Sequence, residues 1–310
     1  MARALAAGEP QLAVRGGEVL VPVLARAGAR RVLQPPPGDG PWRLDVTSKG
    51  TLENIALLPS PAAGEPLEPG QVRIAVRSAG VNFRDVLLAL GMVDQDVMGG
   101  EVGGLVLETG PGVTGLAPGD RVMGMVPASF GPVAVADRRL ITALPEGWSF
   151  TDGATVPIAF LTAFRGLVDL AAVRPGDRVL IHAATGGVGM AAVQLARHLG
   201  AEVWATASPA KWDTLRSLGI PAERIASSRD LGFEERFRDG TGGAGVDVVL
   251  NSLAQEYVDA SLRLLAPGGR FVEMGKTDIR DAAEVEGKHP GISYRAFDLI
   301  DAAPNASGRC

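Results

Sequence analysis

Arg178-Val179-Leu180-Ile181-His182-Ala183-Ala184-Thr185-Gly186-Gly187-Val188-Gly189-Met190-Ala191-Ala192-Val193-Gln194-Leu195-Ala196 decides the fold. Arg178 to Ile181 is a short apolar strand, Thr185 to Gly189 a glycine-rich turn. The residues after it carry small and apolar side chains at i, i+3 and i+4, the spacing of one helix face, and a second strand starts near Glu202. This order is a βαβ opening. Glycines at 186, 187 and 189 remove the Cβ atoms that would hold a backbone away from a pyrophosphate, while the new helix offers unpaired N–H groups and the positive end of its dipole. Thr185, Gly186, Gly187, Val188 and Gly189 are therefore candidate dinucleotide-phosphate residues. Tight turns also need glycine for steric reasons alone; the strand, helix and strand in register favour the nucleotide.

The chain has 310 residues, 46% hydrophobic and 21% charged, enough for two domains with buried cores. A net charge of −5 provides no basic field for nucleic acid or an anionic membrane. No apolar run reaches the roughly 18 residues that span a bilayer, and the N-terminus lacks a signal-peptide pattern, so a cytoplasmic chain with neither nucleic-acid nor membrane partner is expected. The single cysteine, Cys310, is the last residue, which excludes an internal disulfide and a cysteine-ligated zinc. His182, His198 and His289 show no ligand spacing, so they read as structural or surface residues and no metal is expected.

In chain order, residues 1–47 read as a tail with two strand-like pieces, Gln11–Arg15 and Val19–Leu24, ending in a stiff proline-rich linker, Gln34 to Gly38. Residues 48–150 read as a substrate domain in which short β runs (Val72–Val76, Gly104–Glu108, Asp120–Gly124, Gly131–Val135) alternate with Pro/Gly turns, the texture of a small, partly open barrel. Residues 151–285 alternate helix and strand: a helix over 154–170, the glycine turn and its helix, strands at 203–207 and 246–250, helices at 210–218 and 257–265, and a strand at 270–274. That pattern predicts an α/β, Rossmann-type doubly wound parallel sheet complete by about residue 274. Residues 286–310 read as the start of a further segment.

An NAD-binding domain carries an acid about 20 residues beyond the first glycine to hold the ribose 2′-hydroxyl. Positions 205–209 are Ala-Thr-Ala-Ser-Pro, with Lys211 just beyond. A missing carboxylate, the Ser208 hydroxyl and the Lys211 ammonium suit a 2′-phosphate and favour NADPH. The structural alternative makes Ser208 a helix cap and Lys211 a solvated first-turn residue.

Gly80-Val81-Asn82-Phe83-Arg84-Asp85-Val86-Leu87-Leu88-Ala89-Leu90-Gly91-Met92, Ala183 to Gln194, Asn251-Ser252-Leu253-Ala254 and Tyr294-Arg295-Ala296-Phe297-Asp298-Leu299 together resemble the enoylreductase domain of modular type I polyketide synthases, in the zinc-free medium-chain dehydrogenase/reductase superfamily. The likeness covers about residues 42 to 302. Residues 5 to 25 resemble the tail preceding such a domain. The resemblance implies a GroES-like substrate domain beside the Rossmann domain, and NADPH-dependent reduction of a trans-α,β-unsaturated acyl thioester held on an acyl carrier protein, with neighbouring synthase domains as partners in polyketide antibiotic biosynthesis. Hydride would pass to Cβ and a proton to Cα.

By the same resemblance Lys276 and Asp298 match proposed proton donors. The carboxyl end of a strand suits Lys276 independently, because ligands bind there in open α/β sheets. Lys276 could instead be a solvated loop lysine, and Asp298 could pair with Arg295 or cap a helix. Asn82 and Thr162 match positions near the nicotinamide; an Asx-turn and a back-bond within the helix are the local alternatives. Asn251 and Gly275 complete the matched cofactor positions. Val93 stands where many relatives carry tyrosine; by resemblance it implies a 2R product from an α-branched substrate, with simple packing as the alternative. Two other functions stay open: a zinc-free quinone or small-enone reductase, and an inactive, truncated domain. The second arises because Asp301 to Cys310 has no periodicity where such domains continue, which would leave a sheet edge and apolar surface exposed.

Overall fold

The computed structural model describes residues 32–299, together with the backbone of two short strands, Ala13–Arg15 (β1) and Glu18–Leu20 (β2). These two pair antiparallel, Ala13 opposite Leu20, in a first unit that ends at Pro35. The remainder of the tail's strand expectations, the residues from Asp301 onward and Cys310 lie outside the described residues. The second unit begins at Pro36.

That unit opens with a hairpin the sequence did not announce, Trp42–Val46 (β3) against Ile55–Pro59 (β4). A two-stranded ribbon needs few apolar residues, so it leaves little periodicity to read. Leu44 N–H donates to Phe130 O at 2.8 Å and ties the hairpin to the sheet that follows. The sheet comprises Gln71–Ala79 (β5), Glu101–Thr109 (β6), Arg121–Met125 (β7), Val133–Asp137 (β8) and Ile141–Ala143 (β9), in the order β8-β5-β6-β7-β9, antiparallel throughout. Its alternate residues, Val72 and Ile74, Val102 and Val106, Val122, Ala134 and Ala136, form one buried core. Of the expected strands, β5 and β6 run one to three residues further at their ends and β7 and β8 are shifted one and two residues later, while β9 was not assigned.

From Arg178 the sheet is parallel: Arg178–Ile181 (β10), Glu202–Ala207 (β11), Ile225–Ser227 (β12), Val246–Asn251 (β13), Leu265–Glu273 (β14) and Ser293–Ala296 (β15), ordered β12-β11-β10-β13-β14-β15. The sixth strand corrects the expectation that the sheet is complete by residue 274. Ser293–Ala296 buries only Tyr294 (pattern eBee), too few apolar positions to announce a strand in a parallel sheet.

The continuous apolar runs are explained by burial on both faces. Val179 and Ile181 of β10, Val248 and Leu250 of β13 and Val272 of β14 enter one core, under the helices Pro157–Phe164 and Gly187–His198. Leu180, Val249 and Phe271 point the other way, into a second core with Phe233 and Phe237 of the helix Gly232–Gly240 and Val258 and Leu262 of the helix Glu256–Leu264. Phe233, Phe237 and Phe271 are fully buried, so truncating any one to alanine would cost about 3–5 kcal/mol. Strand order reverses at β10, which is followed by the glycine turn: the crevice where an open α/β sheet binds its ligand.

Candidate active site

The helix Gly187–His198 begins at the glycine turn with no acidic residue in its first turn, and its first N–H groups have no intrahelical partner. The glycines divide their work. A Cβ on Gly187 would meet nothing within 4 Å, so that surface is open to a ligand; a Cβ on Gly189 would lie 2.5 Å from Ala183 O and 2.6 Å from Ala184 Cα. Gly189 therefore lets the helix pack against its strand, while exposed Gly186 and Gly187, with the backbone of Val188 between them and the helix body, form the cradle. Thr185 is half-buried at the same turn. Ala183 holds a φ of 48° in the left-handed region, a locally unfavourable conformation that the packing of this turn maintains.

At the end of β11, Ser208 makes no side-chain capping hydrogen bond to the short helix Pro209–Lys211, which removes the cap alternative for its hydroxyl. Lys211 is exposed, and the segment 205–211 contains no acid.

On the other side of the crevice, β13 and β14 end in a buried polar node. Asn251, fully buried, donates from Nδ2 to Leu253 O (2.8 Å) and to Glu273 Oε2 (2.5 Å), and its Oδ1 accepts from Leu253 N–H (3.2 Å). Both its amide hydrogens are committed to the protein and its oxygen accepts from Leu253 N–H, so these bonds shape the loop. Glu273, 1% exposed, also accepts from Gly275 N–H at 2.5 Å. Burial pushes the Glu273 carboxyl up to about 7, against the opposing pull of these two hydrogen bonds. Glu273 escaped the sequence reading, although a carboxylate closing the apolar run Phe271-Val272 of a doubly buried strand was a visible signal.

The turn that Glu273 anchors at Gly275 carries Lys276. Its Nζ donates to Phe297 O at 2.8 Å and lies 3.3 Å from Asp298 Oδ2. The same Oδ2 accepts from Arg84 Nη1 at 2.7 Å. Asp298 is thus paired with Arg84 and Lys276, whereas Arg295, the partner the sequence offered as an alternative, is exposed on β15. Arg84 Nε donates to Gln95 Oε1, and Gln95 Nε2 donates to Val97 O at 2.6 Å. Val93, half-buried, lies two residues before Gln95 and so belongs to the segment that approaches the Lys276–Asp298 pair.

Asn82 begins the helix Phe83–Ala89, whose Asp85 carboxylate accepts from the N–H groups of Asn82 and Gly99, both at 2.8 Å. The Asn82 amide donates to buried Glu101 Oε1 at 2.8 Å, and Glu101 Oε2 accepts from Ile158 N–H at 2.9 Å. Burial raises the Glu101 carboxyl above its ordinary value. Glu101 therefore binds β6 of the antiparallel sheet to the start of the helix Pro157–Phe164, on which Thr162 sits half-buried. His182 is a core residue, as expected: its ring nitrogens meet Thr206 Oγ1 and Ser261 Oγ, each at 2.8 Å, and burial pushes it down to about 3, so it stays neutral. Among the described residues no cluster of potential metal ligands exists, and no helix is long and apolar enough to cross a membrane.

This geometry has relatives. A family model described as alcohol dehydrogenase GroES-like domain matches residues 68–143, and one described as zinc-binding dehydrogenase matches residues 187–295. The spectinabilin polyketide synthase system protein NorB of Streptomyces orinoci is 63% identical over 302 residues, covering 97% of this chain and 14% of that protein. The chain therefore spans only a small part of this curated relative's length. The crystal structure of CurK enoyl reductase, 42% identical, superposes with a TM-score of 0.79 over 85% of this chain and 82% of that one. A mycobacterial structure, Rv1454c complexed with NADPH, is 26% identical, with a TM-score of 0.76 over 84% and 82% of the two chains. With likeness to an enoyl reductase running over more than four fifths of both chains, and to a polyketide synthase over nearly all of this one, the chain belongs to the enoylreductase domains of modular type I polyketide synthases, in the zinc-free medium-chain dehydrogenase/reductase superfamily.

Proposed function

We propose that this chain reduces an α,β-unsaturated acyl thioester carried on an acyl carrier protein, using NADPH, with Lys276 delivering the proton to Cα. The observation that carries the reading is the placement of Lys276 Nζ at the carboxyl end of the parallel sheet, held by Phe297 O and Asp298. NADPH supplies the hydride. The open cradle at Gly186 and Gly187 suits its pyrophosphate, and the acid-free Ser208–Lys211 segment suits its 2′-phosphate.

The residues' work follows from the electron flow. Hydride addition at Cβ moves the alkene's electron pair onto the thioester oxygen, and the enolate so formed collapses by taking a proton at Cα. A lysine in an ion pair is an ammonium, both an electrostatic partner for developing enolate charge and a proton source; after transfer it remains as the amine. Phe297 O and Asp298 use two of its three N–H groups and leave one to give. Asp298, accepting from two cations, holds Lys276 in place. Asn82 and Thr162 are assigned to the nicotinamide; Glu101 links the Asn82 amide to the start of the helix that carries Thr162.

Val93 has no proton to give, so on this reading Cα is protonated from the Lys276 side and an α-methyl substrate yields the 2R product. Incubating the protein with NADPH and an α-methyl enoyl pantetheine thioester, followed by chiral analysis of the product, tests reaction, cofactor and face together. Rapid reduction of free quinones with no turnover of the thioester would sink the proposal in favour of a quinone reductase. Absence of NADPH fluorescence enhancement at about a millimolar, near the upper range of ordinary KM values, would mark an inactive domain.

A further inference from the structure

We propose that Arg84 is a positioning residue for the reduction: it holds Asp298, and through Asp298 the proton donor Lys276, from the opposite side of the cleft. The inference rests on the reading of Lys276 as donor. Arg84 lies in the helix Phe83–Ala89 beside the antiparallel sheet, and Asp298 lies 214 positions later, just past the last strand of the parallel sheet. Their 2.7 Å contact is therefore a bond between the two halves of the site.

The guanidinium is set from both ends. Nε donates to Gln95 Oε1 and Nη1 to Asp298 Oδ2, and Gln95 is itself fixed by its bond to Val97 O. A planar, rigid fork serves two acceptors in different directions from separate nitrogens in one orientation; a lysine would have to bring its single ammonium between both of them. Asp298 Oδ2 receives Arg84 on one side and the Lys276 ammonium on the other, so the carboxylate's position is decided by both.

Magnitudes argue that this arrangement serves geometry rather than stability. Arg84, Asp298 and Lys276 are each between 21% and 27% exposed at the side chain, and ion pairs with that much water contribute little to folding. Proton transfer to a carbon, by contrast, is sensitive to placement: a displacement of about 1 Å at the reacting groups can cost on the order of 100-fold in rate. Without Arg84, Asp298 keeps its charge but loses one of the contacts that set where it holds Nζ. Glu273, close enough to Lys276 to feel its charge, accepts from Asn251 and Gly275.

The test compares Arg84→Met, Arg84→Lys, Asp298→Asn, the double variant Arg84→Met/Asp298→Asn and Lys276→Met in steady-state turnover of an enoyl pantetheine thioester with NADPH, in H2O and D2O. Arg84→Met is expected to lower kcat about 10- to 100-fold with KM for NADPH changed less than about threefold, and to raise the solvent deuterium isotope effect as protonation becomes limiting. Arg84→Lys should fall between. The double variant should be no slower than the worse single one, because both act on one linkage. A merely structural role would leave the isotope effect unmoved. If Arg84→Met does not fold, Arg84→Lys carries the same two readouts. The inference is overturned if the Arg84 variants keep the wild-type kcat and isotope effect, or if the Arg84 and Asp298 losses multiply. A wild-type kcat in Lys276→Met would instead remove the donor reading, and the two failures are thus distinguishable.

Discussion

Glu273 makes the stability of this domain depend on pH in a direction opposite to most carboxylates. Its carboxyl is shifted from 4.5 to about 7 because it is buried at the end of β14, with Asn251 and Gly275 as its donors among the described residues. A raised folded value means the native state prefers the proton. The contribution is fully present below pH 4.5, is lost progressively as pH rises through about 7, and stays constant above. The shift corresponds to about 3 kcal/mol in total, of which roughly 2 to 3 kcal/mol falls between pH 5 and pH 8. Glu273→Gln removes the titration. Its amide oxygen can still accept from Gly275 N–H, but its NH2 faces Asn251 Nδ2, whose orientation is fixed by two bonds to Leu253. That clash adds a cost independent of pH. Urea unfolding of both proteins from pH 5 to pH 8 isolates the effect, since every other titrating group is common to the pair. Wild type should lose roughly 2 to 3 kcal/mol more than Glu273→Gln over this range. Parallel curves would show that Glu273 is ionised in the folded state throughout and refute the argument.

Three further outcomes follow from the site. Lys276→Met should lower kcat for thioester reduction by about 100-fold or more with little change in NADPH affinity, as loss of a general acid requires; a KM effect alone would assign Lys276 to binding. The two glycines should separate: Gly187→Ala should leave the melting temperature unchanged and weaken NADPH binding in a fluorescence titration, while Gly189→Ala, forced against Ala183 O, should cost about 1–3 kcal/mol in unfolding. Equal stability losses would refute that division. Lys211→Ala should raise KM for NADPH about tenfold and leave KM for NADH unchanged, the size expected for one charged hydrogen bond; equal effects on both cofactors would place the 2′-phosphate elsewhere.

How much of this was readable in advance depends on the range of the signal. The strands Val72–Val76 and Val246–Leu250 and the helix after Gly186 were legible because burial imposes a period or an unbroken apolar run on neighbouring residues. The hairpin Trp42–Pro59 and the strand Ser293–Ala296 were not, since each needs few apolar residues of its own. The candidate residues divide the same way. Lys276 stood out by the family resemblance, which its place after a strand supported, and the cradle by its clustered glycines. Glu273 carried a local signal, a charge closing an apolar strand.

Arg84 carried none. An arginine on a seven-residue helix looks like any solvated one until Asp298, 214 residues later, is brought to 2.7 Å. Residue order alone was enough for the two sheets, the nucleotide crevice and the acid-free segment beside it, because those depend on chemistry within a few neighbours. The pairing of Asp298 with Arg84 instead of Arg295, the commitment of Asn251 to Glu273, and the division between Gly187 and Gly189 were settled only by folding. Each depends on what lies across space, and distances between remote residues are set by packing of the whole chain.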